Sequence, residues 1–109
     1  MEKLEIVFKH LKELIKKKDY SQARIECEKV IVIYAANAEL NYLVGYIYDK
    51  LNLVKRAEEF LQKSIYLDPN HYDALVELSL FHEKNGNKEK ASLYRERAFR
   101  VANKIISKI

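Results

Sequence analysis

Residues 38–71 read AELNYLVGYIYDKLNLVKRAEEFLQKSIYLDPNH, and this stretch decides the fold because its pattern recurs on both sides. Ala57 lies within it, and Ala23 and Ala91 stand 34 residues before and after Ala57. A unit of this length, two helices and a turn, cannot bury its apolar face alone, so copies must stack. Such a stack presents a concave surface to another chain, and the period therefore indicates a binding module.

The composition is that of one small domain. The chain has 109 residues, 49% of them hydrophobic, and a single cysteine, Cys27. A lone cysteine cannot close an internal disulfide, and no cluster of Cys and His accompanies it, so we expect no metal, no cofactor and a reducing, cytoplasmic location. The longest apolar run, residues 30–36, is far shorter than the roughly 20 residues that span a bilayer. The N-terminus lacks the pattern of a signal peptide, and we expect no membrane partner.

The basic residues that give the formal net charge of +4 are not gathered on one tract. Lys16, Lys17 and Lys18 form a short basic run, and they close a predicted helix, where cations complement the helix dipole. A nucleic-acid binder is expected to concentrate its basic residues along one face. We therefore expect no nucleic-acid partner.

Apolar residues recur at helical spacing between short turn signals, and no strand pattern competes. Gly86 can adopt the left-handed conformation that ends a helix, and Asn52 can adopt it at a higher energetic cost. The matching position in the first unit is Lys18, where either the backbone is strained or the turn differs. Pro69 ends the fourth helix because proline lacks the donor that would continue it. The six predicted helices span residues 2–17, 20–35, 38–51, 54–67, 72–84 and 88–108.

The chain resembles three tetratricopeptide repeats, at about residues 4–37, 38–71 and 72–105. The resemblance is carried in the second unit by Val44-Gly45, Tyr48, Ala57, Leu61, Ser64 and Pro69, in the third by Leu78-Ser79, His82, Gly86, Ala91 and Ala98, and in the first by Leu11, Leu14, Tyr20, Ala23, Cys27 and Val30. The large aromatic residue that the family usually has in the first helix of each unit is replaced by Val7, Asn41 and Leu75, and the first unit ends in Ala35 instead of proline. The resemblance implies one all-α domain, residues 1–109: a right-handed superhelix of three helix-turn-helix repeats, six antiparallel helices in all, with an extended last helix.

In this family the first helix of each unit lines the inner surface, and the resemblance places a partner-binding groove there. An aromatic and apolar middle would desolvate a bound segment, and charges of opposite sign at the two ends would orient it. The predicted groove residues are Phe8, Lys9, Lys12, Tyr42, Leu43, Tyr46, Asp73, Val76, Glu77 and Leu80, and Glu5, Glu39, Asp49 and Glu83 share the inner face. The alternative is that the aromatic residues only pack between units or under the last helix.

The resemblance implies an adaptor or scaffold that binds a peptide or helical segment of a protein partner and is not an enzyme. Some members of the family hold the C-terminal carboxylates of heat-shock chaperones with a clamp of Lys, Asn and Arg. The clamp positions align here with Phe8, Lys12, Leu43, Asp73 and Glu77. Two cations of the clamp have become anions, so we expect no binding of such a carboxylate.

Two narrower alternatives remain open. Residues 66–75 together with 95–98 are similar to repeats appended to some bacterial chemotaxis-receptor methyltransferases, which would make the chain an accessory region of such a signalling protein. Three-repeat bacterial secretion chaperones also bind extended apolar segments in a groove of this kind.

No catalytic constellation competes with these interpretations. His10, His71 and His82 lie in different units and lack partners at ligand spacing. We expect His82 on a packed helix face and His71 as a turn cap, and Cys27 behaves as a small hydrophobe within an apolar stripe.

An apolar stripe on the last helix runs past the third unit without a polar cap. A terminal repeat without such a cap exposes an interaction or aggregation surface. A second copy of the chain, a further helix of a longer parent protein, or folding back and fraying would each account for it. The predicted oligomer surface, through which the chain would form a homodimer, is Val101, Ile105, Ile106 and Ile109.

Overall fold

A computed structural model describes residues 2–109, and in that range it contains six α-helices and no strand. The helices are α1 (Glu2–Lys16), α2 (Tyr20–Val30), α3 (Ala38–Lys50), α4 (Val54–Leu67), α5 (Tyr72–Lys84) and α6 (Lys88–Ser107). Five of the six agree with the predicted bounds to within one residue at each end. The predicted all-α class is confirmed.

The second helix is the exception, because α2 was predicted to reach residue 35 and ends at Val30. Residues 31–36 form turns instead, in which the N–H groups of Ile33 and Tyr34 both donate to the carbonyl of Val30. The run from residue 30 to residue 33 is β-branched throughout, and such side chains lose rotamer freedom in a helix. The buried amide of Asn41 secures the turn by donating to the carbonyl oxygen of Ala35 over 2.9 Å.

Within each unit the first helix ends in the same left-handed turn. Lys18 and Asn52 have φ of 60° and Gly86 has φ of 80°. In each case the next N–H group reaches back five residues, as from Asp19 to the carbonyl of Leu14 over 2.9 Å, which is the Schellman pattern. Lys18 therefore adopts the strained conformation rather than a different turn.

Small residues at the contacts let the two helices of a unit pack closely together. The three periodic alanines are fully buried, at 0% exposure. A Cβ atom on Gly45 would lie only 2.8 Å from Cγ of Leu61, so α3 and α4 leave no room for a larger side chain. Helix α3 also contacts α1 and α2, and α5 contacts α3 and α4. Each unit thus rests on the one before it, in the predicted right-handed superhelix of three helix pairs.

The apolar core runs through all three units without a break. Its largest fully buried side chains are Leu11, Leu40, Ile47, Leu61, Leu75 and Leu78. None of the helices in residues 2–109 is both long enough and apolar enough to cross a membrane.

Candidate functional site

The first helices of the three units enclose a concave pocket of about 320 Å³. It is lined by Lys12, Ile15, Lys16, Glu39, Tyr42, Leu43, Tyr46 and Asp73. Five of the ten predicted groove residues are therefore brought together: Lys12, Tyr42, Leu43, Tyr46 and Asp73. Because α1, α3 and α5 each contribute, the pocket depends on the stacking of all three units.

Two tyrosines one helical turn apart dominate the floor of the concave pocket. The rings of Tyr42 and Tyr46 are tilted by 54° with centroids 6.3 Å apart. Burial raises the pKa of Tyr42 far above its usual range, so its hydroxyl stays neutral and available as a hydrogen-bond donor. Leu43 is only 3% exposed and closes the floor from below. The Nζ atom of Lys50 lies 5.0 Å from the Tyr46 ring centroid, within the range of a cation–π contact.

A hydrogen bond and an ion pair, both made by Glu39, join the units at one wall of the pocket. His71 Nε2 donates to Glu39 Oε1 over 2.8 Å, and Lys12 Nζ lies 3.6 Å from Glu39 Oε2. The other ring nitrogen, His71 Nδ1, accepts the N–H of Ala74 over 3.1 Å and so caps α5. The hydrogen bond from His71 lowers the pKa of Glu39, which keeps this carboxylate ionised. The predicted capping role of His71 is confirmed.

Charge changes sign across the concave pocket. Lys12 and Lys16 lie on α1, and the carboxylate of Asp73 lies on α5 at the other side. Glu77 follows one turn later on α5; burial and the neighbouring Asp49 raise its pKa. Cations therefore lie at one rim of the concave pocket, and the carboxylate of Asp73 lies at the other.

The other predicted groove residues lie elsewhere. Val76 and Leu80 line a second cavity of about 460 Å³ between α5 and α6, which we name the C-terminal groove. Its lining is Tyr72, Val76, Ser79, Leu80, Arg95, Ala98, Phe99 and Ala102. Phe8 packs against the hydrophobic core, and Lys9 is exposed outside both cavities. Glu77 is half-buried and lines neither cavity.

One member of the predicted oligomer surface is corrected by the structure. Val101 is 8% exposed and belongs to the core, because α6 turns this side toward α5. Ile105, Ile106 and Ile109 are exposed by 54%, 65% and 101%. Of the four residues predicted for the oligomer surface, the last three isoleucines are thus exposed and Val101 is not.

Sequence reasoning missed three residues around the concave pocket, namely Ile15, Lys16 and His71. Lys16 follows Lys12 by four residues and so shares its helix face. His71 stands 34 residues after Asn37, and both are N-caps whose side chains accept from the N–H three residues on. The repeat register could have identified the cap, but not its contact with Glu39.

Other polar side chains have structural roles. The ring of His82 stacks on Tyr94 at an interplanar angle of 12°, on the packed helix face where it was predicted. Burial raises the pKa of the Cys27 thiol to about 12, which removes the thiolate that a nucleophile or metal ligand requires. Within residues 2–109 no three His, Cys, Asp or Glu side chains are grouped to hold a metal ion.

Comparisons with known proteins agree with the repeat interpretation. The tetratricopeptide repeat family model matches residues 38–71. The probable biofilm formation methyltransferase WspC of Pseudomonas aeruginosa is 29% identical over 85 residues, which are 78% of this chain and 20% of that protein. The chain thus spans about a fifth of the length of this relative.

Two solved structures share the fold. MamA from Desulfovibrio magneticus RS-1 superposes with a TM-score of 0.83 at 22% identity, over 90% of this chain and 55% of that chain. PcrH, solved in complex with the chaperone binding region of PopD, superposes with a TM-score of 0.85 at 15% identity, over 94% of this chain and 77% of that chain. At such identities the likeness concerns the fold alone.

Proposed function

We propose that this chain, a stack of tetratricopeptide-type repeats, is a protein-interaction module whose concave pocket binds a segment of a protein partner. The observation that carries the proposal is the tyrosine floor between rims of opposite charge. Neutral, half-buried tyrosines supply a large contact area at a small cost in side-chain entropy. The units that build the pocket are also clamped together by Glu39, so the floor is preorganised.

The opposite charges of the two rims define the direction in which the partner segment binds. A carboxylate or a C-terminus of the segment pairs with Lys16, whose side chain is exposed, while Lys12 is already engaged by Glu39. A basic residue of the segment pairs with Asp73 on the opposite rim. An apolar or aromatic residue between them rests on Tyr42 and Tyr46. Opposed rim charges of this kind select orientation and speed association.

Photocrosslinking tests the pocket directly. The chain carries benzoylphenylalanine in place of Tyr46 and, as a control, in place of Leu93, an exposed leucine of α6 (51%). We expect one partner segment to be crosslinked from position 46 and not from position 93. A synthetic peptide of that segment then binds the unmodified chain, and Tyr46→Ala weakens its affinity at least about tenfold while Leu93→Ala leaves it unchanged. Equal crosslinking from both positions, or equal affinities for the two variants, contradicts the proposal.

A peptide that ends in the acidic motif of heat-shock chaperones serves as a negative probe. Asp73 and Glu77 stand where the clamp has cations, and like charges repel its carboxylates. We expect no binding in calorimetry, and micromolar affinity would refute the assignment of the inner face.

The likeness to the biofilm methyltransferase favours one more specific setting. There the chain is the accessory repeat region of a signalling protein whose catalytic part lies outside these 109 residues, and it has no enzymatic activity of its own. The fold shared with PcrH favours a different setting, a secretion-type chaperone that holds an extended segment. The reading frame that encodes the chain separates them: fusion to a methyltransferase supports the first, and a neighbouring gene for a secreted protein supports the second.

We further propose a cytoplasmic location, which the buried free thiol of Cys27 supports. The homodimer through α6 stays a prediction that rests on Ile105, Ile106 and Ile109. A strictly monomeric mass in light scattering at tens of micromolar, a concentration at which a dimer of ordinary affinity forms, would exclude it.

A further inference from the structure

The C-terminal groove is an unfilled position of the repeat register. Residues 34 apart occupy equivalent positions, as the buried alanines show. Ile65 of α4 is 7% exposed, whereas Phe99, its equivalent on α6, is 67% exposed. Helix α5 packs against α3 and α4, and within residues 2–109 no helix packs in that way against α5 and α6. The C-terminal groove is thus the surface that the first helix of a following unit would cover.

The chain itself shows which helix face fills such a surface. Three positions of α5, Ala74, Leu78 and Phe81, are at most 2% exposed. The equivalent positions of α1, which has no preceding unit, are exposed: Ile6, His10 and Glu13. A preceding unit therefore buries a stripe at positions i, i+4 and i+7 of the helix that rests on it. An occupant of the C-terminal groove needs this apolar stripe.

Arg95 adds a chemical requirement. It lines the C-terminal groove at the register position where Cys27 is 1% exposed and Leu61 is 0% exposed. Covering a guanidinium without a partner carries a large desolvation cost. An occupant must therefore bring a carboxylate beside its apolar stripe. Helix α5 has this composition, since Asp73 and Glu77 accompany its buried residues.

A second copy of the chain does not meet these requirements. Helix α6 contains six cations and only two carboxylates, so a second copy that docked its α6 in the C-terminal groove would bring further cations to Arg95. The N-terminal end of a second copy presents His10 and Glu13, where an occupant needs apolar side chains. Neither a two-fold nor a head-to-tail arrangement supplies an apolar stripe with a carboxylate beside it.

We propose that the C-terminal groove binds an amphipathic helix of another protein, with an i, i+4, i+7 apolar stripe on Phe99 and Leu80 and a carboxylate on Arg95. This surface is separate from the concave pocket, so the two can be tested independently. The helix completes the stack as the first helix of a fourth unit would.

A peptide of residues 70–86, the α5 segment, is a suitable probe because it carries the required stripe and carboxylates. It is stapled on the face opposite Leu78 to preform the helix, labelled with fluorescein and titrated with the whole chain in an anisotropy assay. We expect saturable binding that Phe99→Asp weakens at least about tenfold. Leu93→Asp, the matched change at an exposed leucine of the same helix, and Tyr46→Ala in the concave pocket leave the affinity unchanged.

Charge exchange tests the carboxylate. Arg95→Glu weakens binding of the probe about fivefold, and a probe carrying Asp73→Lys and Glu77→Lys restores it, as expected for a specific ion pair. The proposal is overturned if the intact chain shows no saturation up to about 1 mM probe, or if Leu93→Asp weakens binding as much as Phe99→Asp. It is also overturned if sedimentation velocity finds a dimer that Phe99→Asp dissociates, because the occupant is then a second copy.

Discussion

The two ends of the stack differ in the side chains that they carry at positions that are buried in the middle unit. At the N-terminal end α1 exposes His10 and Glu13, where α3 buries Val44 and Ile47 at 1% and 0% exposure. At the C-terminal end α6 exposes Phe99 by 67%. The first end is polar at these two positions, where the interior is apolar, whereas the last end keeps an apolar side chain at position 99, as the interior does at Ile65.

The polar N-terminal end therefore favours solubility, whereas the apolar C-terminal end favours binding of a further helix. A terminal repeat with a polar outer face cannot be extended, because a further unit would bury charges without partners. A terminal repeat that keeps its apolar residues invites a further helix, and a single cation such as Arg95 restricts which helix is accepted. Specificity then comes from the cost of leaving that cation unpaired.

The largest effect is expected from placing one charge at the two equivalent positions. Ile65→Asp buries a carboxylate in the interior of the stack and should lower the free energy of unfolding by about 3 kcal/mol or more. Phe99→Asp meets solvent and should change it by less than about 0.5 kcal/mol. Urea denaturation of both variants measures the difference. Equal losses would show that the C-terminal groove is closed in solution.

A smaller effect tests whether the last unit is as well packed as the middle one. Ala57→Leu and Ala91→Leu each enlarge a side chain that is 0% exposed, and overpacking costs about 1–3 kcal/mol. We expect the two variants to lose equal stability in thermal or urea unfolding. The ends of the stack differ in the surface that they offer to a further unit, whereas the two helices inside each unit pack together in the same way. Ser92→Leu, an exposed change beside Ala91, is the control. A parent-like melting curve for Ala57→Leu would refute the repeat alignment, and a smaller loss for Ala91→Leu would indicate a frayed third unit.

A weaker effect should follow from giving the N-terminal end the residues of the interior. The double substitution His10→Val and Glu13→Ile copies α3 into α1 and makes this end apolar. Head-to-tail association with the C-terminal groove of another copy should then raise the mass in light scattering at about 100 μM. Adding Phe99→Asp should return the chain to a monomer. Association that survives Phe99→Asp would use some other surface.

The bounds of a helix were predicted well from the sequence where residues at its own ends determine them. Five helices had nearly correct bounds because caps and breakers such as Gly86 and Pro69 stand at their ends. Helix α2 was predicted too long, because residues 31–35 continue the apolar period, whereas the turn that ends the helix is secured by a hydrogen bond from Asn41 of the next helix to the carbonyl oxygen of Ala35. The concave pocket was only partly predicted. Its contact between Glu39 and His71 joins residues 32 apart, and the division of the inner face into two cavities depends on how α5 and α6 pack.

The smallest effect concerns one register position that holds a tyrosine in the middle unit and a histidine in the last. The hydroxyl of Tyr48 donates to Glu28 over 3.0 Å. His82 is 3% exposed, and its Nε2 atom lies 3.5 Å from a carboxylate oxygen of Glu58. Burial lowers the pKa of His82 despite this neighbour, so the folded chain keeps a neutral ring at a pH where the unfolded chain has already taken up a proton.

Acid should therefore weaken the last unit through His82. The free energy of unfolding should fall as the pH drops below about 6.5, and this contribution should level off below the lowered pKa of the folded state. His71 acts in the opposite sense, because the hydrogen bond to Glu39 raises its pKa and its contribution is lost as the pH rises. His82→Tyr copies the middle unit and leaves His71 in place, so subtracting its stability curve from that of the parent isolates His82. Urea midpoints from pH 5 to pH 8 measure this difference. If the two curves run parallel, the ring of His82 is solvated, and the third unit packs less tightly than the second.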